Sequence, residues 1–126
     1  MSVPAPLVLV VDDSTLVTEA LGVLLEAVGY RTASAGSVGE AVQAARDIHP
    51  DALLLDLTLP DGEGLDVLRA LGDGGAAPVA IALTGHDDPE TAARCREAGC
   101  RAVLTKPVRA AALVQALAGA GIVAAE

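Results

Sequence analysis

An α/β domain with a doubly wound parallel sheet is predicted by two features of the 126-residue chain. Short apolar runs alternate along its length with stretches of helical periodicity, the pattern of strands joined by crossover helices. The runs Leu7–Val11, Ala52–Leu55 and Pro78–Leu83 are almost continuously Val, Leu, Ile and Ala, as strands covered on both faces must be. Polar residues close each run: Asp12 and Asp13, then Asp56, then Thr84, and later Lys106 after Arg101–Thr105. Open sheets of this class hold their ligands beyond the carboxyl ends of the strands, so those residues mark the expected site.

The elements follow in order. After the first strand, Ser14 caps a helix whose apolar positions Leu16, Val17, Ala20, Leu21, Leu24, Leu25 and Val28 recur at helical spacing and stop at Gly29. Tyr30–Ala35 is a short second strand. Ser37-Val38-Gly39-Glu40 has the capping-box pattern and opens a second helix through Ile48, leaving His49 in a loop before Pro50. Asp51 opens and Asp56 ends the third strand. Pro60, Gly62 and Gly64 mark a loop, and Leu65, Leu68 and Leu71 define a short third helix ended by Gly72-Asp73-Gly74-Gly75. Beyond the Thr84 strand, Asp88 and Pro89 start a fourth helix with little apolar content besides Ala92, Ala93, Cys95 and Ala98. The fifth strand, Arg101–Thr105, leads through Lys106-Pro107 into a last helix carrying Leu113, Val114 and Leu117.

Bulk properties narrow the function. Hydrophobic residues make up 52% of a chain of single-domain length, and no linker or repeat divides it, so residues 1–126 are expected to form one domain without an output domain. A net charge of -9 disfavours nucleic acid and anionic membrane surfaces, which are bound through clustered Lys and Arg. The N-terminus lacks the charged and apolar segments of a signal peptide, and the Ala- and Gly-rich run from Ala110 to Ala125, interrupted by Gln115, is better read as a packing helix and tail than as a membrane span. A soluble, cytoplasmic protein is expected. Cys95 and Cys100, five apart, match neither a redox motif nor a zinc ligand set, and read as packing residues.

Of the four strand-end carboxylates, Asp12, Asp13 and Asp56 can converge, whereas Asp51 lies at the opposite end of its strand. Three carboxylates in one cleft repel, and a divalent cation relieves that repulsion. Mg²⁺ fits best, since it takes all-oxygen ligands and commonly uses one or two carboxylates together with phosphate oxygens. A carboxylate can also attack phosphorus, provided that the incoming charge is neutralised.

At these residues the chain resembles the receiver domain of two-component response regulators, in stand-alone or hybrid-kinase form. The resemblance rests on Asp12-Asp13, on Asp56 with Pro60 and Gly64 at the family spacing, on Thr84, and on Lys106-Pro107, and it covers nearly the whole chain. It implies a flavodoxin-like (βα)5 fold with strand order 2-1-3-4-5. It implies that Asp56 is the phosphoacceptor, assisted by Thr84 and Lys106, with Mg²⁺ held directly by Asp13 and Asp56, through water by Asp12, and by the Thr58 backbone carbonyl. A cis bond between Lys106 and Pro107 is implied as well. No other cofactor is expected.

The resemblance further implies a phosphohistidine donor on a histidine kinase or histidine phosphotransfer protein, docking near Leu16, Val17, Ala20, Pro107 and Val108, with room for a homodimer on phosphorylation. Its chemistry is self-catalysed phosphotransfer and autodephosphorylation, not classical enzymology. One departure stands out: the fifth strand of many members carries an aromatic switch residue, and the matching position here is Val103. With no Phe, no Trp and a single Tyr in the chain, output is expected through the loop after Thr84 and the fourth helix. Two other readings are weighed. A pseudo-receiver, a phosphorylation-independent interaction module, usually lacks one of the acids or the Lys, and all are present here. An aspartyl-phosphate phosphatase needs a second Asp two residues after the nucleophile, where this chain has Thr58.

Overall fold

A computed structural model describes residues 4–72 and 78–125; the predicted stop signal at Asp73-Gly74-Gly75 lies outside them. Strands β1 (Leu7–Val11), β2 (Arg31–Ala35), β3 (Ala52–Asp56), β6 (Val79–Thr84) and β7 (Ala102–Thr105) form a parallel sheet in the order β2-β1-β3-β6-β7, the expected 2-1-3-4-5 arrangement. Helices α1 (Thr15–Ala27), α2 (Val38–Ile48), α3 (Leu65–Leu71), α4 (Pro89–Glu97) and α5 (Ala110–Gly119) connect them. Strands β4 (Thr58–Leu59) and β5 (Gly62–Glu63) form a small antiparallel hairpin in what the sequence presents as a plain loop. Two residues per strand are too few to leave an alternating pattern, and Pro60 and Gly62 advertise only the turn.

Alternate residues of the central strands feed two cores. Leu9, Val11, Leu53, Leu55, Ala80 and Ala82 pack with residues of α2, α3 and α4 on one face. Val8, Val10, Leu54, Ile81 and Leu83 pack with Leu25, Leu113 and Leu117 of α1 and α5 on the other. Strand β3 is buried along its whole length, and each fully buried Leu there contributes about 1.5–3 kcal/mol.

The helices begin where their caps indicate. Ser14 Oγ accepts from Val17 N, Ser37 Oγ from Glu40 N, and Asp88 Oδ1 from Thr91 N. The capping box is modified at α2, because Glu40 Oε2 accepts from the Gly36 amide instead of reaching back to Ser37. His49 follows α2 as its C-cap in the left-handed region and starts the loop before Pro50. On α1, Leu16 is 79% exposed and Ala20 is exposed, while Thr18 is buried. The inward face is therefore rotated from the one the apolar spacing marks, and the Thr18 hydroxyl is satisfied by donating to the Thr15 carbonyl. In α3 the buried residues are Leu65 and Val67, with Leu68 and Leu71 only partly covered.

After α5 the chain turns back across the amino end of the sheet. Tyr30 donates to the Ile122 carbonyl at 2.7 Å and Ala125 N donates to the Gly29 carbonyl at 2.9 Å. Asp51 also lies at this end, accepting from Leu7 N at 2.7 Å, so it takes no part in the acidic cluster. At the opposite, carboxyl end, Gly64 passes so close to the Asp56 carbonyl that any Cβ would collide with it. Gly64→Ala is therefore expected to destabilise the protein by about 1–3 kcal/mol in urea unfolding, with most of the displacement in the Leu57–Gly64 loop; a midpoint equal to wild type would contradict this packing.

Candidate functional site

The sheet order sets the site. Strand β1 pairs with β3 in parallel register, Val11 opposite Leu55, so the residues that follow β1 emerge beside Asp56. Carboxylate oxygens of Asp12, Asp13 and Asp56 lie within 4.8 Å of one another. Asp12 and Asp56 are buried and Asp13 is exposed. Two backbone amides tie the buried acids down: Ser14 N donates to Asp12 Oδ1 at 2.9 Å and Thr58 N to Asp56 Oδ1 at 3.2 Å.

Lys106 enters from the end of β7, where the Lys106–Pro107 bond is cis as the resemblance implied. Its ammonium is 3.2 Å from Asp56 Oδ1 and 3.4 Å from Asp12 Oδ2. Partial burial disfavours the charged ammonium, but the hydrogen bond and attraction from Asp56, with a smaller share from Asp12, outweigh it and hold Lys106 above the ordinary lysine pKa. The stabilisation from this contact is accordingly complete below pH 10.5 and is lost only as pH rises through the still higher folded value.

Thr84 ends β6, between β3 and β7. It is buried, with its hydroxyl accepting from His86 N at 3.0 Å and its carbonyl accepting from Lys106 N at 2.7 Å. Asp13, Asp56, Thr58, Thr84 and Lys106 all line one cavity of about 430 Å³, open on the side of Gly85, where a Cβ would meet nothing within 4 Å. Asp12 joins this group through the carboxylate cluster and the Lys106 ammonium, so Asp12, Asp13, Asp56, Thr84 and Lys106 lie together.

The far wall of this cavity holds residues that sequence reasoning missed. Glu63, on β5, accepts from Arg94 Nη2 of α4 at 2.7 and 2.8 Å, and Arg69 Nη1 lies 3.6 Å away. The Arg94 hydrogen bond is the main reason that the Glu63 carboxyl lies below the usual carboxylate range. No sequence signal marks a pair 31 positions apart, since neither residue belongs to a recognisable motif. Asp61, in the hairpin turn, accepts from Val38 N and Gly39 N, which hold its carboxyl below the usual range.

The donor set suits a hard divalent cation. Asp12, Asp13 and Asp56 bring three carboxylates and Lys106 one ammonium, so acidic groups outnumber the cation among oxygen donors that lie within 4.8 Å of one another. Nitrogen and sulfur ligands are absent from this cluster, which disfavours softer metals.

Residues 8–118 match the family described as response regulator receiver domain. Among curated proteins, the polar-differentiation response regulator DivK of Brucella ovis is 35% identical over 108 residues, covering 80% of this chain and 84% of that one. The DNA-binding response regulator MtrA of Mycolicibacterium paratuberculosis is 36% identical over 107 residues, covering 85% of this chain and 47% of that one. Among solved structures, a CheY-like response regulator receiver domain protein from Methanospirillum hungatei superposes with a TM-score of 0.84 at 27% identity, over 92% of this chain and 93% of that one. A LuxR-family two-component response regulator from Aurantimonas gives 0.84 at 31% identity, over 92% and 84%.

Repulsion within the cluster has a measurable consequence. In metal-free buffer Asp13→Asn is expected to raise stability by about 0.5–1 kcal/mol, since Asp13 faces two acids and takes no share of Lys106. Added Mg²⁺ should stabilise wild type more than the variant; equal responses in thermal unfolding would argue against cation binding here.

Proposed function

Because the chain belongs to the response regulator receiver domain family, we propose that Asp56 is the residue on which it accepts a phosphoryl group. As a receiver it is a component of two-component signalling and not a classical enzyme. The observation that carries the assignment is the setting of Asp56: a buried carboxylate at the end of the central strand, open to a polar cavity and touched by a lysine ammonium.

In the transfer, an Asp56 carboxylate oxygen forms the new O–P bond while the P–N bond to the donor's phosphohistidine breaks. The released electron pair stays on the imidazole nitrogen, which takes a proton from water. Lys106 lowers the repulsion between the Asp56 carboxylate and the incoming phosphoryl oxygens, and the Thr84 hydroxyl, on the same cavity wall, is placed to donate to one of them. Asp12 shares the Lys106 ammonium with Asp56 and so fixes where that charge stands. A Mg²⁺ ion held by Asp13 and Asp56, by Asp12 through water and by the Thr58 backbone carbonyl would supply neutralisation of the phosphoryl charge.

The partner class implied by the family is a histidine kinase; for this chain we assign a phosphohistidine on a kinase or on a histidine phosphotransfer protein. Leu16, 79% exposed at the start of α1, and exposed Pro107 flank the site and offer apolar contact to such a partner. No helix among the described residues is long and apolar enough to cross a membrane, and membership of the receiver family supports a cytoplasmic location. A net charge of -9 suits DNA poorly, which supports output through protein contacts.

Incubation with a small-molecule phosphodonor and Mg²⁺ should add one phosphoryl group by intact mass, and Asp56→Ala or removal of the cation with a chelator should abolish the gain. Lys106→Ala should slow labelling by about 10²-fold or more, the scale of removing one charged contact from a developing anion. Wild type that stays unlabelled with both small donors and phosphorylated kinases would instead identify a phosphorylation-independent interaction module.

A further inference from the structure

Helix α4 is connected to Asp56 by two routes. One follows the backbone from Thr84 through Gly85–Asp88 into the helix. The other passes through the β4–β5 hairpin. Thr58 N donates to Asp56 Oδ1, Thr58 faces Glu63 across the hairpin, and the Glu63 carboxylate accepts from Arg94 of α4 at 2.7 and 2.8 Å. The opposite end of the hairpin is held, because Asp61 accepts the Val38 and Gly39 amides at 2.7 and 3.1 Å and thereby joins the turn to the start of α2. Gly64, pressed against the Asp56 carbonyl, leaves the loop little freedom to slide past the strand.

We propose that Arg94 is a positioning residue through which α4 reads the state of Asp56: the Glu63–Arg94 ion pair transmits displacement of the Thr58–Glu63 hairpin to the helix. This rests on Asp56 being the phosphoacceptor. Once an Asp56 oxygen is bonded to phosphorus, the carboxylate that holds Thr58 N is replaced by an acyl phosphate whose negative charge lies on oxygens further out. Thr58 follows that charge. With the Asp61 end anchored, the shift emerges at Glu63, and Arg94 moves with it.

Helix α4 is built to respond. Its one buried residue is Cys95, so little packing resists its movement. The Val103 position on β7 offers no aromatic side chain to report the change, leaving charge as the available readout. An exposed ion pair can shift an equilibrium by about two- to fivefold, which bounds the signal this route carries.

Hydrogen exchange of the full chain, with and without a small-molecule phosphodonor and Mg²⁺, tests the route, with intact mass recorded on the same samples. In wild type the exchange of residues 89–97 should change by about two- to fivefold on phosphorylation. Glu63→Gln and Arg94→Met should label normally and lose that change, while residues 85–88, which respond through Thr84, still change. Arg94→Lys, which keeps the charge, should restore the response of residues 89–97. Labelled Glu63→Gln and Arg94→Met proteins that keep the full α4 response would overturn the proposal and leave Asp56 as the acceptor untouched. Absence of mass gain in wild type with phosphorylated kinases as well as the small donor would remove Asp56 from its role and the proposal with it.

Discussion

The pairing of β1 with β3 is the constraint on which the site depends. Parallel strands in register, with Val11 opposite Leu55, deliver the residues after β1 beside the last residue of β3. That register is enforced by the core: a shift of one residue would turn Leu9, Val11, Leu53 and Leu55 from one layer of helices to the other and strand the apolar faces of both. Burial of aliphatic side chains therefore holds three mutually repelling carboxylates within 4.8 Å of one another. The arrangement costs stability locally, and the two cores offset it.

Lys106 makes the cost tolerable without removing it. Two of the three acids are buried, and a buried unpaired carboxylate would be expected to shed its charge. One ammonium reaching both Asp12 and Asp56, together with the Ser14 and Thr58 amides, gives each buried carboxylate a charged partner and a backbone donor. Asp13, exposed and without a share of Lys106, completes an acidic triad able to bind a metal ion. Stability is traded here for an Asp56 carboxylate that is buried yet borders an open cavity.

The sequence disclosed the strands and their ends because burial on both faces leaves continuous aliphatic runs, and because Asp12, Asp13, Asp56, Thr84 and Lys106 interrupt those runs at chemically telling points. It disclosed helix starts at Ser14, Ser37 and Asp88, where local capping rules suffice. What stayed hidden depends on contacts between distant residues. The apolar spacing of α1 does not reveal that Leu16 and Ala20 face solvent while Thr18 turns inward, since helix rotation is decided by packing on the sheet. The β4–β5 hairpin is too short for a period, and the Glu63–Arg94 and Asp61–α2 contacts join residues more than 20 positions apart with no motif to announce them.

Those hidden contacts change how the loop after Asp56 is to be understood. A loop with Pro60, Gly62 and Gly64 would ordinarily be a passive connection between β3 and α3. Here it carries two opposed anchors: amide hydrogen bonds at Asp61 that bind it to α2, and an exposed ion pair at Glu63 that binds it to α4. The first anchor uses backbone donors at a helix start and is geometrically rigid; the second uses long side chains in solvent and is weak and adjustable. Motion begun at Thr58 is thus resisted toward α2 and yields toward α4. Because α4 contributes a single buried side chain to the core, a force on the scale of one surface ion pair is closer to what holds the helix in place than it would be at α5, which buries both Leu113 and Leu117.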